Sequence, residues 1–233
     1  MRSVYLFTIV FIICLSANAQ LKRNPHFISI NGGISMPVGE YKSFDTAYVS
    51  SAKAGRYFGL EGALYVTKFL GFGTNIGAFI NPVDEKELAK EFGEQYINNR
   101  SITINSDEWL NGYAMLGMYL TIPIKKLRLD FKFLGGAVNS EQPLVEIIID
   151  EQGGQSVIVN KSTDALAFGV NYGAHLRIPI ISKLYLRLNV ETFTSLPELK
   201  KQTENLSTGD LSKEKFEQTI SVLNAGVGLT FSF

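Results

Sequence analysis

Few residues of this chain could carry acid-base or nucleophilic chemistry. The sequence contains two histidines, His26 and His175, and one cysteine, Cys14. A catalytic base needs a nucleophile or a paired acid within hydrogen-bond reach, and neither histidine belongs to a His-x-Ser pair. Two histidines without a cysteine beyond Cys14 also leave no tetrahedral zinc site. We therefore predict no catalytic residues, no enzymatic activity, no metal site and no cofactor.

Charged residues nevertheless recur at alternate positions of segments that are otherwise apolar. Leu127, Leu129, Phe131 and Phe133 alternate with three of them, and Leu184 to Val190 alternate with others. Successive side chains of an extended strand point to opposite faces, so the charged set shares one face. It comprises Glu61, Arg128, Asp130, Lys132, His175, Arg177, Arg187 and Glu191. The set contains three acids, four permanent bases and one histidine, so its positive and negative charges nearly balance.

The elements that position these residues are eight alternating segments. They cover residues 26–36, 54–66, 70–80, 108–122, 126–138, 163–178, 183–194 and 219–233. Short connectors at 67–69, 123–125 and 179–182 alternate with long polar ones at 37–53, 81–107, 139–162 and 195–218. Short turns on one rim and long loops on the other are typical of outer-membrane barrels. We predict an all-β fold, an eight-stranded antiparallel up-and-down transmembrane β-barrel with both termini on the periplasmic side.

Glycine distinguishes a membrane barrel from a soluble lipocalin-like barrel, which would also alternate. The polar face is rich in glycine and comparatively poor in Lys and Glu, as the cramped lumen of eight strands requires; glycine would only weaken a solvated strand. These glycines are Gly59, Gly71, Gly73, Gly77, Gly117, Gly169, Gly173, Gly226 and Gly228. Aromatic residues near the short turns are expected to form an interfacial girdle; they are Tyr65, Phe69, Tyr119, Tyr172 and Tyr185.

Within such a lumen, the charged set is expected to form a salt-bridged polar network, because enclosed charges are costly unless paired or hydrated. The alternative is a gate or narrow ion path, which a filled eight-stranded barrel makes difficult.

The N-terminus predicts export. Arg2 precedes an apolar run from Val4 to Leu15, and Ala17-Asn18-Ala19 matches a cleavage site before Gln20, as in a secretory signal peptide. The run is shorter than the roughly 20 residues of a spanning helix. We predict a signal peptide at 1–19 and one domain at 20–233. Without residues 1–19 the chain carries 21 basic and 22 acidic residues, a balance without a nucleic-acid footprint.

Several of these features together resemble the outer-membrane β-barrel domain family, which includes OmpA-type, OmpX-type and PorT-like barrels. They are Ala19-Gln20, the opening stretch from Ile30 to Gly39, the glycine-alternating strands and the terminal Phe231-Ser232-Phe233. The resemblance implies integral residence in bacterial outer-membrane lipid. It also implies that the barrel-assembly machinery reads the last strand during biogenesis, through Val227, Leu229, Phe231 and Phe233.

Specificity is expected in the long loops. Residues 84–92 and Tyr96 have a helical composition, with Leu88, Phe92 and Tyr96 repeating at i+4. A helix here could cap the barrel mouth or contact a partner. The fourth loop carries two short amphipathic stretches, 199–201 and 211–216. Asp84, Glu85 and Glu87 either form a calcium site or, with neighbouring lysines, a solvated face.

We therefore expect a structural or adhesive role, with the loops open to a ligand or protein partner. The alternatives are a PorT-like component of a secretion apparatus, a lipid-A-modifying enzyme and, at the level of the fold, a soluble carrier.

Overall fold

The computed structural model describes residues 26–43, 51–96, 102–151, 154–206 and 209–233. The predicted signal peptide at 1–19 lies outside these ranges. The described part contains thirteen β-strands, one α-helix and a short 3-10 turn at Gly39–Tyr41. The strands are β1 (Phe27–Pro37), β2 (Gly55–Tyr65), β3 (Leu70–Pro82), β4 (Ile102–Ser106), β5 (Glu108–Ile124), β6 (Leu127–Gln142), β7 (Val145–Glu151), β8 (Gly154–Asn160), β9 (Thr163–Pro179), β10 (Leu184–Ser195), β11 (Glu198–Asn205), β12 (Asp210–Glu217) and β13 (Ile220–Ser232); the helix is α1 (Glu85–Tyr96).

Eight of these strands close an antiparallel barrel in the order β1-β13-β10-β9-β6-β5-β3-β2. Each barrel strand pairs with the barrel strands that come before and after it in the chain, so the topology is up-and-down. The pairing of β1 with β13, from Phe27 opposite Ser232 to Pro37 opposite Val222, closes the ring. All eight predicted strands are present, and the predicted fold class is confirmed.

The barrel has two different ends, which we call the short-turn end and the long-loop end. Residues 66–69, 125–126 and 180–183 connect strands at the short-turn end. The remaining connections contain α1 and the other five strands.

The two faces of the barrel wall differ in polarity. The outward face presents large apolar side chains, with Ile30 69%, Leu116 70% and Phe168 70% exposed. The inward face buries charged and amide side chains together with a subset of the aromatic ones, such as Phe27, Phe79 and Phe193. The girdle prediction was wrong for Tyr65, Tyr119 and Tyr185, which are buried inside, whereas Phe69 and Tyr172 are exposed. The three tyrosines share the odd-numbered, inward parity of their strands.

The five other strands form a second antiparallel sheet, in the order β12-β11-β8-β7-β4, which we call the loop sheet. It combines strands from three long loops. Ile104, Ile147 and Ile149 are buried in it, with Ile104 opposite Ile147. The stretches 199–201 and 211–216, interpreted from the sequence as amphipathic pieces, lie in the β11–β12 hairpin. Leu199 and Phe216 face each other there and are buried.

Helix α1 lies beside β4. Asp84 caps its first turn by accepting the Glu87 N–H at 3.2 Å, the role for which aspartate is favoured at a helix N-terminus. Leu88 is fully buried; the side chains of Phe92 and Tyr96 are outside the described part. Among the described residues no helix is long and apolar enough to cross a membrane.

Candidate functional site

The buried centre of the lumen holds a cluster of opposite charges, which we call the central cluster. Lys132 on β6 donates to Glu61 Oε2 at 3.0 Å and lies 2.5 Å from Glu191 Oε2. Glu61 comes from β2 and Glu191 from β10, so one ammonium group joins three strands. All three side chains are at most 3% exposed. Fully desolvated charges persist only when paired in this way.

Arg187 and His175 complete the central cluster from β10 and β9. Arg187 Nη2 donates to Glu61 Oε1 and also contacts His175 Nδ1. His175 lies between the two carboxylates, with Nδ1 3.7 Å from Glu61 Oε1 and Nε2 3.8 Å from Glu191 Oε2. The histidine therefore sits among fixed charges.

Glu61, His175 and Glu191 also satisfy the spacing of a metal site, since one ligand atom from each lies within 4.8 Å of the others. Lys132 already bridges the two carboxylates and Arg187 pairs with one of them. Two permanent cations thus supply the charge that a divalent ion would bring. The donor set fits an internal ion-pair network better than a metal centre.

A second charged group, which we call the lower cluster, lies towards the short-turn end. Arg177 donates to Asp130 Oδ1 at 2.7 Å through Nη2, and its Nε lies 2.6 Å from Oδ2. Thr121 donates to Asp130 at 2.5 Å and contacts the Tyr65 hydroxyl at 2.5 Å. A hydrogen bond between a guanidinium and a carboxylate is stronger than one between neutral groups, so this cluster ties β2, β5, β6 and β9 together.

Phe27 links the two clusters. The guanidinium carbons of Arg177 and Arg187 lie 4.6 and 5.0 Å from the centre of its ring. An aromatic face attracts cations, so one ring of β1 supports an arginine from each cluster. Arg128, by contrast, lies over the Tyr185 ring at 5.5 Å.

Aromatic and aliphatic side chains fill the lumen on the long-loop side of the central cluster. The Phe193 ring lies 4.9 Å from that of Phe79 and 5.4 Å from that of Tyr113. Met115, Leu134 and Val138 are fully buried in the same core. Near the mouth, Tyr41 packs edge-on against Trp109 at 5.5 Å. Side chains therefore occupy the lumen from the lower cluster to the mouth.

The loop sheet is the second candidate site. Its outermost hairpin is charged: on one face Lys200 lies opposite Lys215, and Glu198 lies opposite Glu217. Lys215 donates to Glu198 at 2.6 Å. That hydrogen bond, with the charge of the same ammonium group, lowers the pKa of Glu198. Strand β12 forms one edge of the sheet, and an edge strand presents backbone groups to a partner.

Two of the three residues considered for calcium, Asp84 and Glu85, form structural contacts. Glu85 accepts hydrogen bonds from the Ser106 N–H at 2.8 Å and its hydroxyl at 3.1 Å, which fastens α1 to β4. Asp84 pairs with Lys53 at 2.9 Å. Partial burial alone would raise the pKa of Asp84, but hydrogen bonds from Lys53 and the Glu87 N–H lower it overall.

The other residues singled out from the sequence lie at the short-turn end or on the outer wall. His26 Nδ1 accepts the Tyr65 N–H at 2.8 Å, so this ring caps the end of β2. Val227, Leu229, Phe231 and Phe233 all point outward and are about half exposed. Thr121, Tyr65 and Phe27 were missed as members of the polar network. The sequence could have identified them by position. Each occupies an inward-facing alternate position of its strand, as do the charged residues of the same or a neighbouring strand.

No protein-family model and no curated protein sequence matches the chain. Several solved structures match it at low identity. The attachment invasion locus protein Ail of Yersinia pestis is 14% identical, over 90% of this chain and 99% of its own, with a TM-score of 0.45. A major outer membrane protein of Thermus thermophilus is 13% identical, over 89% and 99%, with a TM-score of 0.49. The outer membrane protease OmpT of Escherichia coli is 7% identical, over 92% and 99%, also with a TM-score of 0.49. These values transfer no activity, ligand or partner to this chain.

Proposed function

We propose that this chain is a non-enzymatic integral protein of a bacterial outer membrane that presents the loop sheet to a protein partner outside the cell. Its short turns then face the periplasm and its long-loop end faces outward. The role is structural and adhesive: the barrel anchors, and the loop sheet binds.

The apolar outer wall supports membrane residence. Large apolar side chains are exposed on every barrel strand, and some of them, such as Leu60, Phe133 and Leu229, lie away from both ends. A water-soluble carrier would place this set inside and its charges outside, because buried unpaired charge and exposed apolar area are both unfavourable. A bilayer reverses that preference.

The loop sheet is the observation that carries the binding role. Three loops contribute strands to one hydrogen-bonded sheet with its own buried isoleucines. Loops that serve only as connections need no such order, whereas a recognition surface gains affinity when it is ordered before binding. The filled lumen also supports a binding role, because the side chains inside the barrel leave no space for a wide diffusion pore.

The first test separates membrane residence from a soluble fold. The chain from Gln20 is refolded from urea with and without detergent micelles, and heated and unheated samples are compared by gel mobility. We expect a heat-modifiable band only with micelles. A folded, soluble monomer without detergent would overturn the membrane assignment.

The binding role is tested on cells. A non-adherent bacterium displays either the wild-type chain or a variant whose residues 198–217 are replaced by a short Gly-Ser linker. Retention on surfaces coated with extracellular matrix proteins is compared with that of vector-only cells. We expect retention to rise with the wild type and to return to the vector level with the variant, while both give the heat-modifiable band.

Equal retention for all three strains would overturn the adhesive role. Loss of protein secretion on deletion in the native host, without loss of adhesion, would favour the PorT-like alternative instead. A mass change of lipid A caused by the wild-type chain would overturn the non-enzymatic assignment.

A further inference from the structure

The outer wall of the barrel contains an apolar groove near the short-turn end. Its volume is about 660 Å³. Seven lining residues belong to the outward face of the wall, and the other four are chain neighbours of inward parity. The outward residues are Ile28, Gly62, Leu64, Phe72, Thr74, Leu116 and Phe233, and the inward ones are Phe27, Ala63, Gly73 and Gly117. This size falls within the roughly 300–1,000 Å³ of small-molecule sites.

Two small residues in one cross-strand row create the groove. Ile28 lies opposite Gly62, Gly62 opposite Thr74, and Thr74 opposite Leu116. The two outer members of this row are large and the two central ones are small, so the wall is indented at its centre. Leu64 and Phe72, which face each other in the next row towards the short turns, close the groove on that side.

The lining selects an apolar occupant. Thr74 has the only polar side chain among the lining residues, and its hydroxyl already donates to the Met115 carbonyl at 2.9 Å. A hydrocarbon chain therefore loses no hydrogen bond by entering, while a polar ligand would lose its own.

Charge at the adjacent rim selects the headgroup. The turns 66–69, 125–126 and 180–183 carry Lys68, Lys125, Lys126 and Lys183 and no acidic side chain. Lys68 is at the tip of the hairpin that joins β2 and β3, the two strands that supply Gly62 and Thr74. A lysine in this position can extend along the wall towards a phosphate at the membrane interface.

We propose that this groove holds one acyl chain of an anionic glycerophospholipid of the periplasmic leaflet, with its phosphate at Lys68. This inference rests on the proposed membrane residence and orientation. It assigns the lipid a fixed place on one side of the barrel, beside the strand pair β2–β3.

Native mass spectrometry tests the proposal on the full mature chain refolded in micelles. Only preparations with the heat-modifiable band are analysed, so failure of the proposed function appears earlier, as failure to obtain that band. Phosphatidylglycerol or phosphatidylcholine with matched acyl chains is added, and the fraction of barrel that retains one lipid is measured. We expect preferential retention of phosphatidylglycerol.

The groove is tested by filling it. Thr74→Phe, or Thr74→Leu if the first variant folds poorly, places a large side chain at the centre of the indentation. Ile76→Phe is the matched control, because Ile76 is 53% exposed on the same face of the same strand but does not line the groove. We expect Thr74→Phe to abolish retention of the single lipid and Ile76→Phe to preserve it.

The headgroup contact is tested with Lys68→Gln against Lys183→Gln, a rim lysine on another turn. We expect Lys68→Gln to weaken phosphatidylglycerol binding about fivefold, as for one lysine near an anionic surface, and Lys183→Gln to leave it unchanged. Equal retention of both lipids would overturn the phosphate contact at Lys68. Lipid retention that is unaffected by Thr74→Phe would overturn the assignment of the groove as the lipid-binding site.

Discussion

The barrel and the loop sheet bury opposite kinds of residue with the same alternating pattern. The barrel encloses Glu61, Lys132 and Arg187 and exposes leucine, isoleucine and phenylalanine. The loop sheet encloses Ile104, Ile147 and Ile149 and exposes lysine and glutamate. Both consist of antiparallel strands of one chain. Alternation therefore defines a strand, whereas the surrounding medium decides which alternate set of side chains is buried.

The two interiors also differ in what holds them together. In the loop sheet, apolar burial is favourable in itself. In the barrel, each charge depends on a particular partner from another strand, since a buried charge without one is strongly unfavourable. Removing one member of a buried ion pair should therefore destabilise the barrel more than removing one member of an exposed ion pair destabilises the loop sheet.

Glu61→Gln should produce the largest effect. It removes the partner shared by Lys132 and Arg187 and leaves both cations buried, which we expect to destabilise the barrel by about 3–5 kcal/mol. The urea midpoint of unfolding in micelles, followed by fluorescence of the single tryptophan, Trp109, measures this change. Glu198→Gln is the matched control, because its partner Lys215 is exposed. Equal midpoints for the two variants would contradict the dependence of the barrel on this buried pair.

Ile147→Ala should affect the loop sheet alone. Truncating a buried isoleucine costs about 2–5 kcal/mol, and here the loss falls on local opening of the sheet. We expect proteolytic cleavage within the loop-sheet segments 145–160 and 198–217 to accelerate at least about thirtyfold. That factor corresponds to the lower free-energy figure when the cleavage rate follows the population of the open sheet. The heat-modifiable band of the barrel should persist.

Ile148→Ala is the control for that comparison, since Ile148 points to the opposite, half-exposed face of β7. Its effect on cleavage should be clearly smaller. Loss of the barrel band with Ile147→Ala would show that the two regions unfold as one unit.

Gly117→Ala tests the cramped lumen. A β-carbon at Gly117 would lie 2.2 Å from the Phe133 carbonyl oxygen, whereas one at Gly112 on the same strand meets nothing within 4 Å. We expect Gly117→Ala to destabilise the barrel by about 1–3 kcal/mol, as overpacking does. Gly112→Ala should leave the urea midpoint unchanged or raise it slightly. A lower midpoint for Gly112→Ala than for Gly117→Ala would contradict the inward packing of glycine.

The smallest effect concerns the exposed ion pair of the loop sheet. Because Lys215 lowers the pKa of Glu198 below its ordinary value of 4.5, the pair stabilises the folded sheet above that pH. The contribution disappears as the pH falls through the lowered pKa. Carbon NMR titration of the Glu198 carboxyl should show the low pKa, and Lys215→Met should return it to the ordinary range. An unchanged pKa in Lys215→Met would contradict the pairing.

Period-two alternation was sufficient to predict the eight barrel strands to within a few residues. The strands Leu127–Gln142 and Ile220–Ser232 show why. In each, the same alternate positions face inward over several two-residue repeats. Seven of the eight charged residues assigned to the lumen by parity are buried, and Arg128 is partly exposed. The specific partners could not be predicted, because the contact between Lys132 and Glu191 depends on how three strands are placed around a closed ring.

The loop sheet was missed for two different reasons. Strand β11, with the sequence ELKKQTEN, has low β-propensity and is ordered by its neighbours. The β7–β8 hairpin did carry a signal, because β-branched residues from Val145 to Ile149 and from Val157 to Val159 flank Gly153-Gly154, a glycine pair typical of a turn. The general polarity of the long loop obscured it.

In the proposed orientation, the loop sheet would also determine which antibodies bind the intact cell. Its surface combines residues from three loops that are distant in the sequence, so an antibody raised against intact cells would recognise a conformational epitope. A synthetic peptide that copies one loop would reproduce only part of that surface, and serum raised against denatured protein would bind the folded sheet poorly. An immunogen based on this chain would therefore need the closed barrel beneath it.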